Sequence, residues 1–442
     1  MSSLLLIAFS FFQCTDHTTV PERWEGDISY QNKKWRVAVE MVQEGDSTIA
    51  WVDFLDVGGY HRKFRTITTD SSIQLIRAQP NGTSIVFEGK IQQTSFTGKW
   101  SGIGIENAVF NLSPAKPVTY TTEAIEVKND SITLKGNLFL PKGAGPFPAV
   151  VITHGGAAEE RTVWWGAAVQ LAEQGIAAVV YDKRGVGASV GGDWRNDGLK
   201  ALATDALAFA DALKANKNIN PKRIGIFGHS EGGWVAPLAT TLSTLPTFII
   251  ASAPSVDNGS DQTIFHIRNQ MRNAGRTEKE IKKAVTLWEQ IYNADRLCLE
   301  GKADASLFEQ AKKSIHTASK EEWFAYSSLP EPYSGECPSK GLLEILFFNP
   351  IDIWKQVKVP SLLIWGDQDI VVPADKGYKV IPEIMKAAGN QQVTALMEKN
   401  VTHSITLQAG DEWDFPREAP GYFKKIAEWV KRLDGRSQMS DF

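Results

Sequence analysis

Cysteine is scarce in this chain of 442 residues: there are three, and none falls in a CxxC, HExxH or His-Cys cluster with metal-ligand spacing. The sequence therefore offers no ligand set for a structural or catalytic metal. Charge of one sign is lacking too. The formal net charge is -4 and no long run of like charge occurs, which argues against nucleic acid or an anionic membrane surface as partner and leaves a small molecule. Long hydrophobic runs are also missing. The apolar stretch over residues 4–12 is far too short to span a bilayer, so no transmembrane segment is expected.

That stretch has instead the length of the apolar region of a secretory signal, and Cys14 follows it, where a bacterial lipoprotein signal carries its lipidated cysteine. Gln13 departs from the small residue such signals prefer, and no Lys or Arg precedes the run. The expectation is a signal over residues 1–19, export to the periplasm or membrane surface, and a lipid anchor at Cys14. The alternative is an N-terminus that packs nowhere. Cys298 and Cys337 remain: in an oxidising compartment they could pair, whereas in a cytosol they would be two small buried hydrophobes.

The length suits a large catalytic domain plus a smaller one. From about residue 24 to 112 the pattern has period two: Trp35, Val37, Val39 and Met41 alternate with Arg36, Ala38 and Glu40, and Ile85 and Phe87, then Phe96, Gly98 and Trp100, repeat it. Turn-formers break it at Glu44-Gly45-Asp46, Val57-Gly58-Gly59 and Pro80-Asn81-Gly82. This describes an antiparallel meander, an all-β barrel or sandwich over residues 20–115. Its aromatics are expected to fill a core more than to form a binding site of their own. Pro114 and Pro117 mark a linker, and the second domain is placed at 116–442.

There strands alternate with helices, the signature of an α/β domain with a mostly parallel sheet. Strands are expected at 132–140, 149–153, 177–181, 223–227, 248–251, 361–365 and 393–397. A helix over 199–213 carries apolar residues at 199, 202, 206, 209 and 213. The segment from about 255 to 350 separates two core strands and has helical periodicity, with Ile281, Val285, Trp288 and Tyr292 on one face. It reads as a helical cap over the strand ends, with Trp288 and Phe347 as residues that could bound an acyl site.

Gly228-His229-Ser230-Glu231-Gly232 is a G-x-S-x-G sequence after the strand containing Ile224, Ile226 and Phe227 and before a helix-forming run. That context makes Ser230 a candidate nucleophile, because the sharp turn needs glycines around a strained residue. A serine hydroxyl needs a base, and the base needs an acid to hold its tautomer. Of the downstream histidines, His266 and His316 lie in the cap, whereas His403 sits in a short loop after the last expected strand. Asp367 and Asp369 both follow a strand end, and Asp369 is the favoured acid, leaving Asp367 as a polar loop residue.

From about residue 120 to 433 the chain resembles the α/β-hydrolase superfamily, in particular bacterial esterases of the serine-aminopeptidase-like and dienelactone-hydrolase-like branches. The resemblance rests on His154-Gly155-Gly156, on Tyr181-Asp182-Lys183-Arg184-Gly185-Val186-Gly187-Ala188-Ser189, on the Ser230 elbow, and on Asp369 and His403. It implies an oxyanion hole built from the backbone N–H groups of Glu231 and Gly156. Arg161, just after that loop, is expected in a structural salt bridge, with a substrate carboxylate as the alternative. The implied activity is hydrolysis of a small-molecule carboxylic ester through an acyl-enzyme, with no cofactor. Two alternatives stand beside it: a prolyl-aminopeptidase-like serine peptidase, and a surface ligand-binding protein with a vestigial hydrolase domain.

Overall fold

A computed structural model describes residues 22–69, 71–408 and 417–433. The expected signal and Cys14 lie outside the described residues. The chain divides between Lys116 and Pro117 into two compact units.

In the first unit, β1 (Arg23–Tyr30), β2 (Lys33–Glu44), β3 (Ser47–Phe54), β4 (Gly59–Thr68), β5 (Ile73–Ala78), β6 (Ser84–Gln92), β7 (Ser95–Gly102) and β8 (Ile105–Pro114) follow one another as antiparallel neighbours. β1 also pairs with β8, so the sheet closes into a barrel with no free edge. Alternation decides what lies inside. In β8, Ile105, Ala108, Phe110 and Leu112 are buried while the residues between them face out. Trp24, Trp35, Phe64, Phe87, Phe96, Trp100 and Phe110 are fully buried and meet mostly edge to face, as Phe96 and Phe110 do at 4.9 Å. An eight-stranded barrel is just wide enough for side chains to fill it, and these aromatics fill this one.

The second unit holds a sheet in the order β16-β15-β14-β13-β11-β12-β10-β9. Its strands are β9 (Tyr120–Asn129), β10 (Ile132–Pro141), β11 (Phe147–Thr153), β12 (Ala177–Tyr181), β13 (Ile219–His229), β14 (Phe248–Ser252), β15 (Ser361–Gly366) and β16 (Val393–Glu398). β9 and β10 are antiparallel, and from β12 to β16 the neighbours run parallel. The central strands are buried along their whole length, as unbroken aliphatic runs must be when helices cover both faces. β9 escaped the sequence reading. It is an edge strand, Tyr-Thr-Thr-Glu-Ala-Ile-Glu-Val-Lys-Asn, exposed along most of its length and carrying charge where a central strand would carry Val or Ile.

Helices α1 (Trp165–Glu173), α2 (Gly198–Lys214) and α3 (Gly232–Leu242) follow β11, β12 and β13. Between β14 and β15 stand α4 (Gly259–Asn273), α5 (Glu278–Leu299), α6 (Ala305–Ala318), α7 (Lys340–Phe347) and α8 (Pro350–Trp354). α9 (Ala374–Ala387) and α10 (Tyr422–Arg432) complete the unit. The inserted helices have a core of their own, in which Ile267, Met271, Ile281, Val285, Ile291, Phe308, Ile315 and Trp323 are buried together. Thr277 and Glu280 form a reciprocal cap at the start of α5. Cys298, near the end of α5, is disulfide-bonded to Cys337, ahead of α7, with the Cα atoms 5.8 Å apart.

Candidate active site

Ser230 sits between the end of β13 and the start of α3 with φ at +55°, a left-handed setting that costs a non-glycine residue about 1–3 kcal/mol. The flanking glycines make the turn possible. A Cβ on Gly228 would stand 1.8 Å from the Gly232 carbonyl oxygen, and one on Gly232 would stand 2.6 Å from Thr153 Oγ1. The Ser230 N–H donates to the Ser252 carbonyl at the end of β14, so the turn is tied to the neighbouring strand.

The loop after β16 brings His403 Nε2 to 2.9 Å from Ser230 Oγ. On its other side His403 Nδ1 lies 2.8 Å from Asp369 Oδ2, and the Asp369 side chain is fully buried. The second oxygen of Asp369 accepts the N–H groups of Val371 and Val372, at 2.7 and 2.9 Å. A carboxylate only accepts, so the hydrogen sits on Nδ1 and the Nε2 lone pair is left for the serine hydroxyl. Asp367 does something else: it accepts the Asn400 N–H at 2.7 Å and faces Lys399 at 3.4 Å, holding the turn that leads to His403.

Gly156 and Glu231 line the same cleft as Ser230. The N–H of Gly155 is engaged with Glu159 Oε2 at 3.1 Å. Among the described residues, no protein acceptor takes the N–H of Gly156 or of Glu231. His154 anchors this loop through Nε2 to the Tyr181 carbonyl at 2.6 Å, and burial lowers its pKa to about 3, so it donates as a neutral ring. Arg161 forks onto Asp182 at 3.1 and 2.9 Å and reaches Asn137 at 3.1 Å, a structural commitment. His266, half-buried, and His316, exposed, stay on the cap, against the Ile370 carbonyl and Glu331.

The cleft has a volume of about 220 Å³. Its apolar wall comes from Leu342, Ile345 and Leu346 on α7, with Trp234 and Val372. Trp288 and Phe347, the residues expected at the acyl site, are not in it. Trp288 stacks on Tyr292 and donates to the Ser327 carbonyl at 3.0 Å, and Phe347 packs under Arg296 at 4.4 Å. Both serve the cap's internal core. α7 turns Leu346 toward the cleft, and Phe347, the next residue around the helix, falls on another face.

Several residues of the site were not singled out from sequence. Asp182, Lys183 and Arg184 belong to the run after β12 that carries the family resemblance, which gave them no role of their own; all three are buried, and each charge is paired. Arg184 is held by Asp205 and Asp197 at 2.7 Å. Lys183 Nζ donates to Glu231 Oε1 and to the Gly155 carbonyl, both at 2.7 Å. Burial pushes the Glu231 carboxyl up, against the pull of Lys183. His229 is buried behind His403, with ring centres 5.0 Å apart, and its Nδ1 lies 3.0 Å from Ser252 Oγ. Burial first, and then His403, hold its pKa well below the ordinary value.

A family profile described as serine aminopeptidase, S33, matches residues 145–408. The chain belongs to this family. It is an α/β-hydrolase, with an eight-stranded barrel ahead of the hydrolase domain. The hydrolase is similar to esterase EstD of Thermotoga maritima, at 23% identity over 321 residues, 70% of this chain and 68% of the relative. It is also similar to polyketide transferase claH of Penicillium crustosum, at 26% over 251 residues, 56% of this chain and 80% of that one. Among solved structures, the Pyrococcus furiosus esterase Pf2001 aligns at 19% identity with a TM-score of 0.44, covering 71% of this chain and 91% of that chain.

Proposed function

We propose that the protein cleaves carboxylic esters through an acyl-enzyme on Ser230. The observation that carries this is the unbroken line of hydrogen bonds from Ser230 Oγ through His403 to Asp369, at 2.9 and 2.8 Å, opening onto a cleft. Ser230 Oγ attacks the acyl carbon as His403 Nε2 takes its proton. The carbonyl oxygen becomes an oxyanion facing the N–H groups of Gly156 and Glu231, each such donor being worth on the order of 10²–10³ in rate. The intermediate collapses, the alcohol leaves with the proton from His403, and water deprotonated by the same ring releases the acid.

The family's description supports a second reading, removal of an N-terminal residue from a peptide. That reaction calls for a carboxylate to receive the substrate's ammonium group. Among the described residues lining the cleft the one carboxylate is Glu231, and Lys183 already neutralises it; the cation Arg195 stands nearby. The charge in the cleft thus favours a neutral or acidic ester. The volume is below the roughly 300–1,000 Å³ of drug-sized ligand sites, and so favours a short acyl group. We propose further that the protein is exported, since a disulfide between Cys298 and Cys337 suits an oxidising compartment.

The test is turnover of 4-nitrophenyl acetate against an aminoacyl arylamide, with fluorophosphonate labelling. Ser230→Ala and His403→Ala should each lower kcat on the ester by about 10⁴-fold or more with the melting temperature held. Labelling should vanish in Ser230→Ala. Faster arylamide cleavage, or labelling that survives Ser230→Ala, overturns the proposal.

A further inference from the structure

Lys183 has no part in the proton transfers above, yet its side chain is 2% exposed and paired with Glu231, the residue that follows Ser230. Its ammonium has three hydrogens and three acceptors: the Gly155 carbonyl at 2.7 Å, the Ala157 carbonyl at 3.3 Å and Glu231 Oε1 at 2.7 Å. The Trp194 ring closes the pocket at 4.3 Å from Nζ. Burying a charge costs several kcal/mol unless it is fully paired, and a hydrophobic residue would fill such a space at less cost. What the ammonium holds explains its presence.

The Gly155 carbonyl and the Gly156 N–H belong to one peptide unit, which is planar and trans, so the two bonds point in opposite directions. A cation fixed on that carbonyl aims the N–H on the far side, and it polarises the unit so that the N–H donates more strongly. The Ala157 carbonyl holds the loop on its other flank, and Glu159 holds the Gly155 N–H at 3.1 Å. The third acceptor is the side chain of Glu231, whose own N–H is the other candidate oxyanion donor. The two donors come from loops far apart in the chain, after β11 and after β13, and one ammonium joins them.

We propose that Lys183 is the positioning residue of the oxyanion hole, setting the N–H groups of Gly156 and Glu231 at one fixed spacing. This rests on the ester-hydrolase reading of Ser230. A plain structural role and a positioning role differ in what a second substitution restores. Lys183→Met leaves Glu231 buried without its partner, so both melting temperature and kcat should fall. Adding Glu231→Gln removes the stranded charge and should return the melting temperature to near the wild-type value while kcat stays down.

The experiment measures melting temperature, kcat and KM on 4-nitrophenyl acetate, and the inhibition constant of an alkyl trifluoromethyl ketone, whose hydrate mimics the tetrahedral oxyanion. In Lys183→Met/Glu231→Gln we expect kcat lower by about 10²–10³-fold, KM within about threefold, and ketone affinity reduced by the same factor as kcat. Lys183→Gln/Glu231→Gln is read in the same way should the first pair fail to fold. Recovery of kcat together with the melting temperature overturns the proposal, as does a loss of kcat with ketone affinity unchanged. A failure of the underlying reading looks different: wild type itself would then neither turn over the ester nor bind the ketone.

Discussion

At the scale of single residues, two aspartates separated by one position divide two tasks between them. Asp369 holds the ring of His403, whereas Asp367 holds the backbone of Asn400 in the turn before it. Asp369→Asn replaces an acceptor by a donor at Nδ1 and turns the ring to the wrong tautomer, which should lower kcat by roughly 10³–10⁴-fold. Asp367→Asn keeps an acceptor for the Asn400 N–H and should cost less than about tenfold. Steady-state kinetics on one ester rank the pair, and the reverse ranking exchanges their roles. Ser230, Asp369 and His403 were legible because each follows a strand end that its own neighbours announce, so short-range pattern reaches them. Lys183 was not. Its meaning lies in Glu231, 48 residues away, and three charges in a row show no role until their partners are known. His229 was hidden by the motif around it, which assigns no chemistry to that position.

At the scale of elements, the cap divides into two helices that line the cleft, α4 and α7, and two that support them, α5 and α6. Leu346→Ala and Ile345→Ala on α7 should widen the cleft and shift kcat/KM toward longer acyl chains. A pocket of this kind discriminates by roughly 1–3 kcal/mol per methylene, or tens of fold. Trp288→Ala should lower the melting temperature with the chain-length profile unchanged. A set of 4-nitrophenyl esters from acetate to octanoate reads both, and a profile shift in Trp288→Ala alone would reverse the assignment. The periodicity of α5 was legible, since Ile281, Val285 and Tyr292 are buried on one face. Which cap residue reaches the cleft was not legible, because that depends on how α7 is seated, through Ser339 on Asn196 at 2.6 Å.

The cap also carries a buried acid. Asp295 on α5 has a carboxyl oxygen with no hydrogen-bond partner among the described residues, and desolvation raises its pKa to about 7. Between about pH 4 and 7 the folded chain keeps a proton that the unfolded chain has released, so this group's contribution to stability declines as pH rises through that window. Asp295→Asn removes the dependence. The variant should gain melting temperature over wild type at pH 8 and much less at pH 5, and differential scanning fluorimetry at the two values decides it. Equal differences at both would assign the pH response elsewhere.

For the whole molecule, the two units have separate cores, and every residue of the candidate site lies in the second. A chain of residues 117–442 should therefore keep fluorophosphonate labelling at a rate within about tenfold of the full chain, and loss of labelling in a folded fragment would give the barrel a share in the site. The division at Lys116 and Pro117 was announced by a change of period from two to an alternation of strands and helices, which is a property of long windows. The antiparallel edge at β9 was not announced, since an exposed edge strand has no apolar face to alternate. The line of hydrogen bonds joins side chains 173 positions apart, and that distance is also an interval of time. A ribosome adding roughly 5–20 residues per second makes Ser230 some 9 to 35 seconds before His403. Throughout that interval the nascent chain carries Ser230 without His403, and under the mechanism proposed above it turns over no ester until His403 has been made.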